Sequence, residues 1–179
     1  PFEQNVRSRT VVAGPLELAD PDPGWAAEGI RLVNRLWAVV GDKVSAVDHI
    51  GSTAIPGLAA KPTIDLQITV ADLGVADQLA EVLADGGFPR VPGIDGDNPK
   101  PDPATGSVDE GDWGRRLHGS ADPGRPVNVH LRAADSPGRA FALDFRDWLR
   151  DDAAARAEYA EVKRVALQAA EGDLGRYVA

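Results

Sequence analysis

Gly51 and Ser52, followed after twelve residues by Asp65, are the residues whose types and spacing best suit chemistry. A strand that ends in Gly-Ser can turn backbone N–H groups and a hydroxyl toward a phosphate, because glycine lets the backbone approach closely. A carboxylate on the neighbouring strand can then hold a magnesium ion that bridges the phosphate. The alternative is that Gly51 only makes a tight turn and that Asp65 is a solvated strand residue. The spacing alone leaves both interpretations open.

A second group of polar residues lies on two later segments that are predicted to form a hairpin. Cross-strand neighbours in a hairpin lie about 5 Å apart, so we expect this group to share one sheet face with Asp65 and Gln67. Such a face can hold phosphate or carboxylate through charge-assisted hydrogen bonds, and Lys61 can reach the same phosphate as a mobile charge. The alternative is a set of ordinary outward-facing positions. The group is Arg116, His118, Asn128, His130 and Arg132.

Other site classes are disfavoured by what the sequence lacks. The chain has no cysteine, which excludes disulfides, thiolate zinc sites and cysteine nucleophiles. The three histidines, at positions 49, 118 and 130, lack the tight spacing of metal ligands and are expected to be structural. Ser52 has no His-Asp partners at a recognisable elbow, so a hydrolase triad is not expected. No P-loop motif occurs either.

Composition is typical of one globular domain of 179 residues. A formal net charge of -9 argues against nucleic-acid partners. A small anionic ligand remains compatible with that charge, because a local basic cluster dominates at short range. No apolar run is long enough for a membrane span and no signal peptide opens the chain, so we expect a cytoplasmic protein without a membrane partner. The sequence contains no methionine and is expected to be a piece of a longer polypeptide.

The strands that must position the candidate residues are predicted from alternation and turn signals. Residues 44–50 form a strand that delivers Gly51 and Ser52 into a turn. Residues 64–70 form the clearest strand, in which the polar residues at 65, 67 and 69 share one face. Residues 113–120 and 127–133 form the hairpin.

Helices are predicted between and after these strands. The first runs over 24–40, after an Asp22-Pro23 cap, with Ile30, Val33, Trp37 and Val40 inward. A second helix covers 75–85. A third begins at Ser136-Pro137 and carries Phe141, Phe145, Trp148 and Leu149. A fourth begins at Asp151 or Asp152, with Tyr159, Val162, Ala166 and Ala169 inward. Two tryptophans, Trp25 and Trp37, and the pair Phe145 and Trp148 are expected in the core. The exposed helix positions are expected to include Arg146, Asp147 and Lys163.

The remaining segments carry no periodicity. Residues 1–15 are predicted to be a tail or linker, and residues 16–179 a single domain whose first element is a short strand at Leu16 and Leu18. Residues 92–112 are rich in Pro, Gly and Asp and are predicted to be a surface loop, either a lid or disordered.

The block HIGSTAIPGLAAKPTIDLQITV resembles the signature of the GrpB family, within the nucleotidyltransferase superfamily. PDPGW, RRLHGSADPGRPVNVHL, FRDWLR and AEYAEVKR extend the resemblance over residues 16 to about 170. It implies an α+β, nucleotidyltransferase-like fold, with a mixed β-sheet flanked by helices. RLHGSADPGRPVNVHLR, with the PFEQNVRSR opening, is most similar to the GrpB-like domain fused behind the kinase in actinobacterial dephospho-CoA kinases. That implies a kinase domain in the same polypeptide as partner, and a role in coenzyme A biosynthesis.

The sequence departs from the superfamily's acidic pattern, Asp-x-[Asp/Glu] with a third carboxylate on a later strand. The second carboxylate falls at Gln67, and the later strand offers Asn128 and His130. Because two-metal transfer needs several acidic ligands, we expect an accessory domain for folding, stability or regulation, with a nucleotide- or phosphate-binding pocket. The alternative is an active metal-dependent nucleotidyltransferase that uses Mg²⁺ and ATP, with Asp65 as metal ligand and Asp65 and Ser52 as catalytic residues. A third reading is a free-standing ligand-binding GrpB protein.

Overall fold

The computed structural model describes residues 17–99 and 113–170. Its sheet has four strands in the order β1-β2-β4-β3, with β2 and β4 parallel and the other neighbouring pairs antiparallel. The predicted α+β class with a mixed sheet flanked by helices is confirmed. The strands are β1 (Ala46–Ile50), β2 (Ile64–Val70), β3 (Arg116–Gly119) and β4 (Val127–Ala133).

Five helices cover the two faces of this sheet in the described part of the chain. The three earlier helices pack on one face, the fourth packs on the other, and the fifth packs against the fourth. The helix predicted over 75–85 is two short helices that meet at Leu79. None of the described helices is long and apolar enough to cross a membrane. The helices are α1 (Gly24–Val40), α2 (Leu73–Gln78), α3 (Ala80–Asp85), α4 (Pro137–Asp151) and α5 (Ala153–Ala170).

The alternation of β2 assigns its side chains to the two faces as predicted. Ile64, Leu66, Ile68 and Val70 belong to the core that α1, α2 and α3 cover. The intervening polar residues project toward α4, because successive side chains in a strand point to opposite faces. Strand β4 behaves in the same way, and its parallel register places polar residues of the two strands side by side. The pairs are Asp65 with Asn128, Gln67 with His130, and Thr69 with Arg132.

The predicted placement of Arg116 and His118 on this polar face is wrong. In the observed register His118 lies opposite Val129 and Arg116 lies opposite Leu131, so both point toward α2 and α3. His118 is fully buried there, with its Nδ1 2.8 Å from the Phe88 carbonyl oxygen. Successive side chains of a strand point to opposite faces, so once His118 faces the core, every other side chain of β3 also lies on the face opposite to the predicted one.

Helix α1 has the predicted bounds but buries a different face. Its core residues are Leu32, Leu36 and Val40, whereas Ile30 is 64% exposed and Trp37 is 37% exposed. The inward placement of Ile30 and Trp37 was therefore wrong. The residues at i, i+4 and i+8 fill the space over β1 and β2, which leaves the Ile30 stripe at the surface.

The last two helices also differ from prediction in which residues they bury. Trp148 and Val162, predicted inward, are 53% and 56% exposed. Lys163 and Arg146, predicted to be exposed, are buried or nearly so, with side-chain donors on main-chain carbonyls. Long cationic side chains can bury their apolar stems when the head group finds an acceptor, and the polar pattern of the sequence does not reveal those acceptors.

Two predicted segments fall largely outside the described residues. The tail over 1–15 lies outside them, and so do residues 100–112 of the predicted surface loop. The short strand predicted at Leu16 and Leu18 is seen only as a single antiparallel bridge between Ala19 and Ala60, and Leu16 itself is not described.

Candidate functional site

A cavity of about 580 Å³ lies between the polar face of the sheet and the α4–α5 pair. The structure brings seven of the ten predicted site residues to its wall. The other three are elsewhere, because Arg116 and His118 face the opposite side and Gln67 is buried beneath the cavity floor. The seven are Gly51, Ser52, Lys61, Asp65, Asn128, His130 and Arg132.

Asp65 is the central acidic group of this cavity. Its Oδ1 accepts a hydrogen bond of 2.9 Å from the Asn128 amide and lies 3.5 Å from His130 Nε2. Burial alone would raise the pKa of the Asp65 carboxyl, but the hydrogen bonds from His130 and Asn128 hold it below its usual value. Asp65 is therefore an ionised, partly satisfied carboxylate at neutral pH.

His130 is fixed in one tautomer by its two neighbours. Arg115 Nη1 lies 2.9 Å from His130 Nδ1, and a guanidinium can only donate, so Nδ1 accepts and the proton sits on Nε2 toward Asp65. Burial lowers the pKa of His130, and the nearby charges of Arg132 and Arg115 lower it further, although Asp65 opposes them. His130 is thus a neutral donor with both ring nitrogens engaged, as expected for a structural histidine.

Gly51 holds its backbone in a conformation that the site requires. Its φ of 71° and ψ of -172° are accessible almost only to glycine. A Cβ at Gly51 would lie 2.7 Å from Asp65 Oδ2, so the residue also provides room for the carboxylate. Gly51 therefore makes a tight turn and also brings the main chain against Asp65.

Ser52 and Lys61 reach the cavity from the loop that joins β1 and β2. Ser52 begins a 3-10 turn (Ser52–Ala54) and lines the cavity together with Tyr159. Burial lowers the pKa of Lys61, while the charge of Asp65 opposes this. These groups form the part of the wall that can donate hydrogen bonds to an anion.

Gln67 is the residue at which the resembled acidic pattern, Asp-x-[Asp/Glu], has its second carboxylate. Its side chain is fully buried, and Oε1 accepts a 2.6 Å hydrogen bond from Arg132 Nη1. Gln67 Nε2 is 3.5 Å from the Arg139 carbonyl oxygen. In this position the amide orients Arg132 and has no oxygen free for a metal or a ligand in the cavity.

Asp97 and Arg115 are site residues that the sequence did not reveal. The Asp97 carboxylate binds Arg132 through Nε–Oδ2 and Nη2–Oδ1 distances of 2.7 and 3.0 Å, and lies 2.7 Å from Arg115 Nη1. Burial would raise the pKa of Asp97, but the two arginines hold it low. Asp97 lies in an aperiodic segment, where no pattern predicts which face a side chain joins. Arg115 could have been found if Leu117 had been assigned to the polar face, because residues two apart in an extended segment share a face.

The far wall of the cavity is aromatic. Phe141 and Phe145 of α4 stack with ring centroids 5.5 Å apart, and Tyr159 meets Phe145 edge-on at 5.0 Å. Trp113 also lines the cavity, and its buried Nε1 has no hydrogen-bond partner within the described structure. A flat apolar group can therefore lie against one side of the cavity while anionic groups face the other.

Cationic side chains of α4 and α5 attach these helices to the end of β1 and to the loop between β1 and β2. Arg146 Nη1 donates to the carbonyl of His49 at 3.0 Å, and Arg150 Nε donates to the carbonyl of Ala54 at 2.9 Å. Lys163 Nζ donates to the carbonyl of Ala59 at 2.7 Å. Burial lowers the pKa of Lys163 to about 8, although the charge of Asp65 opposes it.

The residues at the cavity do not fit a magnesium pair. Within residues 17–99 and 113–170 no group of three or more His, Cys, Asp or Glu side chains could hold a metal ion. Asp97 is neutralised by two arginines, and the side-chain oxygen of Gln67 is bound by Arg132. Asp65 alone remains, and Mg²⁺ is ordinarily held by more than one acidic or phosphate oxygen.

The chain matches the family model described as GrpB protein over residues 15–179. In structure it is similar to the conserved protein GrpB from Enterococcus faecalis, with a TM-score of 0.71 at 24% sequence identity, over 90% of this chain and 88% of the other. This likeness shows a shared fold.

The curated relatives include longer proteins as well as a protein of similar length. Dephospho-CoA kinase of Mycolicibacterium paratuberculosis is 48% identical over all of this chain, and that of Mycobacterium tuberculosis is 46% identical over 99% of it. The chain spans about half the length (46%) of these relatives. The UPF0157 protein SCO7215 of Streptomyces coelicolor is 32% identical over 97% of this chain and 84% of its own length.

Proposed function

The chain belongs to the GrpB protein family, and from this premise we propose that it is an accessory domain of a dephospho-CoA kinase polypeptide. The domain assists the folding, stability or regulation of a kinase domain in the same polypeptide, in the cytoplasm and in coenzyme A biosynthesis. Its cavity binds a small anion, such as a nucleotide or a CoA-like phosphate. The observation that carries the non-catalytic part of the proposal is Gln67 held by Arg132 where a second carboxylate is needed.

The relatives support the fused arrangement over the free-standing one. Identity is 46–48% to two proteins named dephospho-CoA kinase, and 32% to a protein of which this chain covers most of the length. A domain that stays in one polypeptide with an enzyme while its own acidic ligands are replaced is consistent with a role in support of that enzyme.

A test of the accessory role uses the full polypeptide with one substitution in this domain. Leu66→Asp places a charge at a fully buried position of β2, and Ile30→Asp is the matched control because Ile30 is 64% exposed. We expect Leu66→Asp to lower the soluble yield or the dephospho-CoA kinase activity per molecule, and Ile30→Asp to change neither. Full yield and activity in the Leu66→Asp polypeptide would show that the kinase does not depend on this domain.

The anion-binding part is tested by calorimetry with ATP, with and without Mg²⁺. Lys61→Ala is compared with Lys43→Ala, because Lys61 lines the cavity and Lys43 is exposed on another part of the surface. Loss of one charged contact is expected to weaken binding by about tenfold, which corresponds to roughly 1.4 kcal/mol. Equal affinities for the two variants would place ATP outside the cavity.

The competing function is an active, metal-dependent nucleotidyltransferase with Asp65, Ser52 and Lys61 in its site. The observation in its favour is that all three residues line one cavity, with Gly51 directly beside Asp65. Against it stands the donor set of the described residues, which does not fit two metal ions. Binding of ATP that requires Mg²⁺ and is lost in Asp65→Asn would favour this function, whereas binding that is independent of Mg²⁺ favours the accessory domain.

A further inference from the structure

Two guanidinium groups lie together at one end of the cavity. Arg115 precedes β3 and Arg132 lies on β4, and the antiparallel register brings both onto the polar face. Burial lowers the pKa of Arg115, and the charge of Arg132 lowers it further. Two like charges held this closely in a partly buried place require an anion between them.

Asp97 supplies that anion with the geometry of a bound ligand. Its carboxylate makes a two-oxygen, two-nitrogen contact with Arg132 and an ion pair with Arg115. This is the arrangement in which arginine holds carboxylate or phosphate most strongly. Its own main chain is held separately, because Asp97 N donates to the Trp113 carbonyl at 2.8 Å.

The first turn of α4 leaves room for this anion. A Cβ at Gly138, the second residue of α4, would lie 2.8 Å from Asp97 Oδ2. The carboxylate thus lies against the start of a fifteen-residue helix, where the helix dipole favours negative charge. Three independent features, namely two arginines and an open helix start, converge on one position.

The same position faces the cavity rather than the closed core. The side chains of Asp97, Arg115 and Arg132 all line the cavity, with exposed fractions of 14%, 18% and 6%. Two cations share one carboxylate, and in the described structure Arg115 Nε has no hydrogen-bond partner. The cluster therefore has donor capacity that Asp97 does not use.

We propose that Arg115 and Arg132 form an anion subsite that Asp97 occupies internally, and that the phosphate or carboxylate group of a ligand binds there by replacing the Asp97 side chain. Rotation of that side chain is sufficient, because the Asp97 main chain is held by Trp113. The inference rests on the proposed anion-binding cavity. It adds where in the cavity the anion binds, and it identifies the Asp97 carboxylate as the group that competes with this anion.

The test is calorimetric titration of the full chain with inorganic phosphate. Asp97→Asn keeps the shape of the side chain without its charge, and Asp95→Asn is the matched control, because Asp95 lies two residues away with 61% of its side chain exposed. An internal carboxylate competes at an effective concentration of about millimolar or above, so its removal is expected to strengthen phosphate binding by about tenfold or more. Asp95→Asn is expected to leave the affinity unchanged, and adding Arg115→Gln to Asp97→Asn is expected to abolish the gain. Acetate in place of phosphate separates a carboxylate ligand from a phosphate one.

Other outcomes overturn the inference in distinguishable ways. Equal phosphate affinity for wild type and Asp97→Asn, with weaker binding in Lys61→Ala, would leave the anion-binding cavity intact and refute the subsite. Absence of phosphate and acetate binding in every variant would refute both the anion-binding cavity and the subsite. If Asp97→Asn is unstable in buffer, thermal unfolding replaces calorimetry: phosphate is expected to raise its Tm more than that of wild type, and an equal shift contradicts the inference.

Discussion

Replacing Gly51 with alanine is expected to destabilise the protein for two separable reasons. The backbone at φ 71° and ψ -172° is strained for any residue with a Cβ, at a cost of about 1–3 kcal/mol. The new Cβ would also lie 2.7 Å from Asp65 Oδ2 and must displace the carboxylate. That displacement weakens the hydrogen bond from Asn128, worth roughly 1.5–3 kcal/mol for a charged acceptor. The expected loss in the free energy of unfolding is therefore about 3–5 kcal/mol.

The measurement is urea denaturation of Gly51→Ala beside Gly57→Ala. Gly57 also has a positive φ of 78°, but its Cβ would meet no atom within 4 Å. Gly57→Ala therefore reports backbone strain alone, at about 1–2 kcal/mol. The difference between the two variants contains the contact with Asp65 together with any difference in backbone strain between the two positions.

A double-mutant cycle with Asp65→Ala identifies the source of that difference. Without the carboxylate, Gly51→Ala is expected to cost only its strain, so the two substitutions show a coupling energy of about 1–3 kcal/mol. Equal losses for Gly51→Ala and Gly57→Ala, or a coupling energy near zero, would refute the claim that Gly51 and Asp65 are packed against each other.

Three further expectations concern buried polar groups. Gln67→Leu removes the acceptor of Arg132 and is expected to lower the free energy of unfolding by about 1–3 kcal/mol in urea; no loss would mean that this hydrogen bond does not matter. Burial lowers the pKa of Lys163 from 10.5 to about 8, so between these pH values the unfolded chain binds more protons and the free energy of unfolding rises with pH. Lys163→Met should lose this rise between pH 8 and 10, and an unchanged rise would contradict the prediction. Burial lowers the pKa of His49 from 6.5 to about 4, so the free energy of unfolding falls as the pH drops from 6.5 to 4. Over this range the urea midpoint of His49→Gln should fall less than that of wild type, and an equal fall would exclude His49 as the cause.

The elements that the sequence predicted best are those whose pattern is complete within the element. Strand β2 alternates over all seven of its residues, so both its bounds and the face of each side chain follow from the letters. The bounds of α1 follow from a turn signal at each end. The parallel pairing of β2 with β4 has no local signal, because it joins segments that are distant in sequence, and only the family resemblance implied a mixed sheet.

Strand β3 shows why the site itself was only partly predictable. Its polar residues Arg116 and His118 alternate with Leu117, and the ordinary reading turns the polar residues toward the predicted site. In the structure His118 Nδ1 is hydrogen-bonded to a main-chain carbonyl oxygen on the core side, and Leu117 lines the cavity. Hydrogen-bond acceptors from distant parts of the chain decided which face of β3 turns toward the core. A strand of four residues is too short for its own pattern to decide this.

Asp97 was missed for a different physical reason. Its segment has no period that assigns side chains to a face, and its partners, Arg115 just before β3 and Arg132 on β4, follow a long aperiodic stretch. A carboxylate in such a segment looks like a solvated charge. Only its contacts with Arg115 and Arg132 distinguish it from Asp95, which lies two residues earlier at the surface.

The three cation-to-carbonyl bonds from α4 and α5 join the helix pair to the end of β1 and to the β1–β2 loop. The carbonyl of His49, in β1, accepts from Arg146, and the carbonyls of residues 54 and 59, in the loop, accept from Arg150 and Lys163. In amide hydrogen exchange, the loop and the helix pair should therefore be protected as one unit together with the end of β1. A molecule bound beneath the helices would then slow exchange throughout that unit, including at amides that it does not touch.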